Sequence, residues 1–143
     1  MFSEVAAYLY LLDTNILSDL IKRPSAIAAR KIAALENEAA CCTSLIVACE
    51  LRYGADKKGS SALTTRVNQL LDTIAVLPLE DNILPHYGEI RVALERMGQP
   101  IGNNDLLIAA HARALNLTVI TANTSEFSRV PGLLLENWLE PEI

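Results

Sequence analysis

Residues 8–21 read YLYLLDTNILSDLI, and they set the pattern from which the rest of the chain can be interpreted. The run YLYLL at 8–12 is continuously apolar, which is typical of a strand buried on both faces. Asp13 ends this run, and from Thr14 the apolar residues return every three or four positions, which predicts a helix over 14–21. A buried strand that passes directly into a helix indicates a parallel sheet whose strands alternate with helices.

The same alternation continues along the chain. Further strands are predicted over 41–43, 74–79 and 117–121, with 133–135 as a candidate fifth strand, and helices over 26–38, 44–55, 61–71, 82–97 and 103–115. Gly54 and the segment DKKG at 56–59 are expected to stop the helix that begins at Ser44. The pattern predicts a three-layer α/β/α sandwich around a central, mostly parallel sheet. A length of 143 residues predicts a single domain over 1–143.

Composition and charge exclude several classes of protein. The chain is 51% hydrophobic and 20% charged, which excludes intrinsic disorder. Mean hydropathy is +0.25, but the longest uncharged runs, 39–49 and 114–125, are shorter than the ~20 apolar residues of a membrane span. A net charge of −5 argues against a protein that holds nucleic acid by bulk positive charge, although a local basic patch is compatible with it.

Three cysteines, Cys41, Cys42 and Cys49, indicate a reducing compartment. Their number is odd, two are adjacent, and no CxxC motif accompanies them, so neither a disulfide framework nor a zinc site is expected. We expect all three to be small buried hydrophobic residues in a cytoplasmic protein. His111 lies mid-helix among alanines and is expected to pack rather than to catalyse.

Four polar residues are predicted to meet at one edge of the sheet. Asp13 follows the first strand and Asn123 follows the fourth, while Glu50 lies on a helix among apolar neighbours and Asp105 lies in the first turn of another. Ligand sites of open parallel sheets lie beyond the carboxyl ends of the strands. Structural roles are the alternative, because Asp13 suits a helix cap, Asp105 a helix dipole and Asn123 a turn.

A carboxylate on the inward face of a helix needs a cation. For Glu50 this cation is either an arginine, such as Arg91 or Arg113, or a metal ion. Three carboxylates that lie close together raise one another's pKa unless a cation sits among them. Oxygen ligands without Cys or His favour Mg²⁺ or Mn²⁺, which suit phosphate-ester chemistry.

Four segments carry a resemblance to a known family: LLDTNILSDL at 11–20, ACELRYGA at 48–55, IGNNDLLIAAHARAL at 101–115 and VITANTSEFSRVPGLLLENW at 119–138. In this order they resemble the PIN-domain ribonucleases, specifically the VapC toxins of bacterial type II toxin–antitoxin pairs. The resemblance covers nearly the whole chain. It implies the PIN fold and a Mg²⁺- or Mn²⁺-dependent endoribonuclease that inhibits translation by cutting transfer or ribosomal RNA loops, leaving 5′-phosphate and 3′-hydroxyl ends.

The resemblance also assigns the residues of the site. It makes Asp13, Glu50 and Asp105 the metal-binding acids and Asn123 the fourth catalytic position, with Thr14 and Thr121 in support. Glu126, three residues after Asn123, is expected to supplement the site. Many PIN domains have Asp where this chain has Asn123, which weakens the case for a second tightly held metal. The basic residues that we consider for phosphate contact are Lys22, Arg23, Arg52 and the pair Lys57 and Lys58.

The first two helices are more apolar than one face of a sheet requires, and the excess belongs either to an ordinary core or to an interface with a partner. The resemblance implies a homodimer or a higher hetero-oligomer, with a VapB-like antitoxin in a groove near these helices and operator DNA contacted only through the antitoxin. The alternative function is a catalytically silent PIN scaffold that serves as the binding subunit of an antitoxin–operator repressor complex.

Overall fold

The computed structural model describes residues 7–140. Within them, a five-stranded parallel sheet has the order β3-β2-β1-β4-β5. Its strands are β1 Tyr10–Leu12, β2 Cys41–Ser44, β3 Ala75–Leu77, β4 Thr118–Ile120 and β5 Leu134–Glu136. All five predicted strands are therefore present. Residues 1–6 and 141–143 of the predicted single domain lie outside the described residues.

Helices flank this sheet and complete the predicted three-layer α/β/α sandwich. They are α1 Thr14–Lys22, α2 Ile27–Ala33, α3 Leu45–Lys58, α4 Ser61–Thr73, α5 Leu84–Arg96, α6 Asn103–Ala114 and α7 Thr124–Phe127. Helix α1 packs against α2, α3 and α4, whereas α5 packs mainly on α6. Short 3-10 helices span Glu38–Ala40 and Asp81–Ile83. No helix within residues 7–140 is long and apolar enough to cross a membrane.

Two predicted helices end at other residues in the structure, and one short helix was not predicted. The second helix ends at Ala33, because the Asn37 side chain accepts a hydrogen bond from the Ala39 backbone and starts the first 3-10 helix instead. Helix α3 continues through Gly54 to Lys58 and ends where Gly59 adopts a left-handed φ of 65°. Tertiary packing outweighs the low helix propensity of one glycine here. The four-residue helix α7 is too short to leave a periodic signal.

The sheet forms the centre of the hydrophobic core. Leu11, Cys42, Val119 and Ile120 are fully buried, as expected for parallel strands covered on both faces. Cys41 is buried too, but Cys49 is exposed, so the prediction of three buried cysteines is wrong for this residue. It lies on the solvent side of α3, which the apolar character of its neighbours did not reveal.

Candidate catalytic site

Asp13 and Thr121 lie side by side where β1 and β4 end. Leu12 is paired with Ile120 in the sheet, so the next residue of each strand leaves the sheet at the same point. The Thr121 hydroxyl donates a hydrogen bond of 2.8 Å to Asp13 Oδ2, and the two residues are only 0% and 3% exposed. Asp13 Oδ1 is buried and has no hydrogen-bond partner among the described residues. A buried carboxylate oxygen without a partner is costly, so this atom suits a ligand.

Asn15 fixes this pair, and the sequence interpretation missed it. Its Nδ2 donates to Thr121 Oγ1 at 3.1 Å, and its Oδ1 accepts from the Ala122 backbone at 2.9 Å. Thr121 Oγ1 also accepts from the Asn123 backbone at 3.0 Å. With both acceptor positions filled, the hydroxyl directs its one proton at Asp13. Asn15 stands two residues after Asp13, but its contacts with the end of β4 cannot be read from that spacing.

Glu50 lies at the rim of the site, half-buried on α3. Its Oε1 accepts a short hydrogen bond of 2.7 Å from the Thr14 hydroxyl, and its Oε2 accepts one of 3.4 Å from Asn104 Nδ2. Thr14, which is predicted to support the site, therefore contacts Glu50, and Asn104 is a further contact that the sequence did not predict. Both hydrogen bonds orient the carboxylate at the open end of the sheet.

The structural alternative for Glu50 is wrong. Arg91 pairs with Glu95 at 3.6 Å, and Arg113 pairs with Glu89 at 3.0 Å, so neither arginine neutralises Glu50. The helix face that carries Glu50 is also less buried than its apolar neighbours indicated, since Tyr53 is 65% exposed. Glu50 is a partly hydrated carboxylate rather than a core ion.

Asn123 joins two further carboxylates. Its Nδ2 donates to Asp105 Oδ2 at 3.3 Å and to Glu126 Oε2 at 3.2 Å. Asn123 lies at the start of α7 and Asp105 in the first turn of α6, so this amide connects the two helix starts. Glu126 therefore lies next to Asp105. Asn123 is not only a turn residue, because its side chain contacts both carboxylates.

The carboxylates raise one another's pKa. Burial, a hydrogen bond shared with Glu126, and the negative charges of Asp13, Glu126 and Glu50 raise the pKa of Asp105 to about 7. Burial also raises the pKa of Asp13, and the hydrogen bond from Thr121 partly opposes this rise. Asp13 occupies the N-cap position of α1, but its side chain makes no capping hydrogen bond, so side-chain capping does not account for its carboxylate.

The donor set fits a divalent ion of the Mg²⁺ type. It consists of oxygens, and one of them, Asp13 Oδ1, is buried without a partner. Within residues 7–140, no three side chains of His, Cys, Asp or Glu are close enough to form a ready-made metal cluster. Mg²⁺ commonly keeps several waters and contacts only one or two carboxylates, so a tight cluster of three is not required.

The site is open to large ligands. A cavity of about 330 Å³ is lined by Glu50, Asp105 and the loop at the start of α6, which contributes Gly102, Asn103 and Asn104. This size is typical of sites that accept small molecules or parts of larger ones. Asp105 lies in the first turn of α6, as the helix-dipole alternative requires, but it also lines this cavity.

The predicted basic contacts lie outside this cavity. Arg23 pairs with Asp19 at 3.2 Å, and Arg52 donates to Asn68 at 3.2 Å. Lys22 lines a neighbouring groove instead. His111 is buried and bonds through Nδ1 to Ser44 Oγ at 2.9 Å, which confirms that it packs.

Comparisons with known proteins agree on one family. The PIN domain model matches residues 10–133. Ribonuclease VapC2 of Rickettsia felis is 38% identical over 131 residues, which are 91% of this chain and 98% of the relative. The tRNA(fMet)-specific endonuclease VapC of Shigella flexneri is 37% identical over 130 residues, covering 90% and 97%. The crystal structure of VapBC2 from Rickettsia felis, bound to a DNA fragment from its promoter, has a chain that matches with a TM-score of 0.83 and 37% identity over 91% of this chain and 98% of that one.

Proposed function

The chain belongs to the PIN-domain family, and within it to the VapC ribonucleases, and on this premise we propose that it is a Mg²⁺- or Mn²⁺-dependent endoribonuclease that acts as the toxin of a toxin–antitoxin pair. One observation carries the proposal. Asp13 is a buried carboxylate with one oxygen fixed by Thr121 and the other without a partner, and it lies within the electrostatic reach of Asp105 and Glu50. Asp19 Oδ2 is also buried without a partner, but the other oxygen of Asp19 pairs with Arg23 at 3.2 Å, whereas the charged groups that act on Asp13 are carboxylates.

Asp13, Asp105 and Glu50 would hold the ion, in part through the waters that it retains. When bound, the ion supplies charge neutralisation at the phosphate and a more acidic water. The surrounding side chains keep the ligands in place. The Thr121 hydroxyl fixes Asp13, the Thr14 hydroxyl fixes Glu50, and the Asn123 amide fixes Asp105. Such contacts to ligating carboxylates commonly tune metal affinity.

We assign Glu126 as the base that accepts the proton of the attacking water. It is the remaining carboxylate of the group and is held beside Asp105 by the Asn123 amide. The water oxygen forms a bond to phosphorus as the bond from phosphorus to O3′ breaks, and the departing O3′ takes up a proton from solvent. The products are a 5′-phosphate and a 3′-hydroxyl, the ends that the family resemblance implies.

Incubation of purified protein with total RNA tests the function. We expect the wild type to cleave RNA with Mn²⁺ or Mg²⁺ and not with EDTA. The variant Asp13→Asn should not cleave RNA with either metal, because the amide cannot replace a charged ligand. Cleavage that persists in EDTA, or that is undiminished in Asp13→Asn, would refute the metal-dependent assignment.

We propose structured RNA, a transfer or ribosomal RNA loop, as the substrate. The few aromatic residues and the absence of an interleaved basic and aromatic stripe in the sequence do not suit a general single-strand binder. The Shigella flexneri relative is named for transfer RNA. Sequencing the 5′ ends of fragments after brief expression should find them clustered in a few loops, whereas ends scattered over unstructured messages would contradict this substrate.

A VapB-like antitoxin is the partner that we propose. An apolar cavity of about 610 Å³ lies between α1, α2 and α4, where Leu20, Ile32 and Leu70 line it. The Rickettsia felis neighbour is a VapBC complex on promoter DNA, and we propose the same indirect contact with operator DNA here. Leu20→Asp should abolish co-purification with a VapB-like antitoxin, because the charge enters an apolar cavity. Leu134→Asp, on the exposed face of β5, should leave it intact.

We also propose a homodimer or a higher hetero-oligomer in the cytoplasm, where cysteines stay reduced. The alternative function is a silent scaffold within a repressor complex. A protein that binds the antitoxin and represses the operator, but never cleaves RNA with Mn²⁺, would establish this alternative.

A further inference from the structure

A narrow groove leads away from the acidic site between α1, α3 and α4. Thr14 and Glu50 line it, and so do Lys22 and Lys58. Lys22 lies eight residues after Thr14 on α1, and Lys58 lies eight residues after Glu50 on α3. Each lysine is therefore about 12 Å along its helix from the acidic site. We call this feature the lysine groove and define it by Thr14, Glu50, Gly54, Lys22 and Lys58.

The two lysines of the groove have no carboxylate partner among the described residues, and both are exposed. The neighbouring basic residues are engaged elsewhere. Lys57 stacks over the ring of Tyr53 at 5.9 Å, and Arg23 pairs with Asp19. In a chain of net charge −5, two unpaired ammonium groups that line one groove form a local anion-binding surface.

The floor of the groove is apolar, with Leu51, Ala55, Leu63 and Val67 among its residues. At Gly54, an added Cβ would meet nothing within 4 Å, so the helix surface there is open. The volume is about 160 Å³, below the ~300 Å³ at which small-molecule sites begin. A shallow, elongated groove with an apolar floor and cationic side chains suits one stretch of a polyanionic chain.

We propose that the lysine groove binds the RNA strand that flanks the cleaved bond, with Lys22 and Lys58 contacting phosphates other than the one that is hydrolysed. The inference rests on the proposed ribonuclease function. Phosphates recur every ~3.4 Å along a helical strand, so a lysine about 12 Å from the acidic site meets a different phosphate. Such contacts position the substrate without reading its sequence.

The first test measures RNA binding to the metal-free protein, where no cleavage is expected. Fluorescence anisotropy of a labelled RNA stem-loop, whose loop is single-stranded, is recorded in EDTA at several salt concentrations. For the double variant Lys22→Gln/Lys58→Gln we expect weaker binding and a salt slope reduced by about 1.4, since each phosphate contact on a single strand contributes about 0.7. Lys57→Gln is the matched control and should bind as the wild type does.

The second test fills the groove without removing a charge. Gly54→Gln places a side chain in open space and removes a glycine from a helix interior, so its melting temperature should not fall. We expect its RNA affinity to drop several-fold. Gly88→Gln on α5 is the matched control, because its added Cβ also meets nothing within 4 Å and it lies outside the groove.

The outcomes separate the groove from the catalytic function. If the wild type cleaves RNA with Mn²⁺ while the lysine and Gly54 variants bind and cleave RNA normally, the groove proposal is overturned and the nuclease stands. If RNA binding depends on Lys22 and Lys58 but the wild type never cleaves, the groove is supported and the nuclease fails. If the two lysines govern binding of polyglutamate but not of RNA, the groove takes an acidic peptide and the proposal is overturned.

Discussion

Asn15 acts on the candidate metal ligand through a neighbouring hydroxyl. It donates to Thr121 Oγ1, and Thr121 in turn donates to Asp13 Oδ2. Asn15→Ala should therefore loosen the orientation of the Thr121 hydroxyl and of Asp13, and weaken Mn²⁺ binding about 10–100-fold. Electron paramagnetic resonance of free Mn²⁺ measures this affinity directly.

The matched control for this prediction is Asn37→Ala. Asn37 Oδ1 also accepts a backbone hydrogen bond, of 3.0 Å from Ala39, but Asn37 precedes β2 and so lies at the opposite edge of the parallel sheet from Asp13. Equal Mn²⁺ affinity in the wild type and Asn15→Ala would show that the Asn15 contacts are structural only.

His111 makes the stability of the fold sensitive to acid. Burial lowers its pKa below 6.5, and the Pro78 carbonyl and the charge of Glu80 only partly oppose this. Below pH 6.5 the unfolded chain takes up a proton that the folded chain refuses, so the free energy of unfolding falls as the pH falls. Above pH 6.5 both states are neutral at this residue and its contribution is constant.

Denaturant titrations at several pH values between about 5 and 7 check this. The wild type should lose stability on acidification more steeply than His111→Gln, which cannot take up a proton at this position. Identical slopes for the two proteins would contradict the assignment.

At the scale of residues, the sequence predicted the acids of the site better than the side chains that hold them. Asp13 and Asn123 could be predicted because each follows a strand, and parallel strands end at one edge. Asn15 and Asn104 could not be predicted, because each acts through a contact with a residue that is distant in sequence. Asn15 contacts Thr121, and Asn104 contacts Glu50. Glu126 was suggested by its position three residues after Asn123.

Two glycines of α3 should respond oppositely to alanine. Gly54 is helical and has open space around it, so Gly54→Ala should stabilise the protein by about 0.5–1 kcal/mol. Gly59 ends the helix with φ 65°, so Gly59→Ala should cost about 1 kcal/mol. Urea unfolding of both variants gives the two values, and a loss of stability in Gly54→Ala would contradict the account of this helix.

At the scale of elements, long periodic helices and buried strands were predictable, and their ends were less so. Helix α3 passes Gly54 because Leu51 and Ala55 are buried on either side of it. The second helix is shorter than predicted, because Asn37 redirects the backbone. Propensity alone does not decide either end, since one result depends on packing and the other on a single side-chain contact.

At the scale of the whole molecule, the alternation of strands and helices predicted the layers of the fold. It did not give the strand order β3-β2-β1-β4-β5, which places β1 at the centre and Asp13 beside Thr121. The high mean hydropathy is explained in part by the apolar cavity between α1, α2 and α4, which a partner would cover. The acidic edge and this cavity are separate surfaces of one chain.

Calorimetric titration of Mn²⁺ into the metal-free protein tests most directly whether these carboxylates hold a divalent ion. The wild type should bind Mn²⁺, and Asp13→Asn should bind it more than about 100-fold less tightly while keeping the same circular dichroism spectrum. A wild type that takes up no Mn²⁺, or an Asp13→Asn variant that binds it equally well, would contradict the central claim.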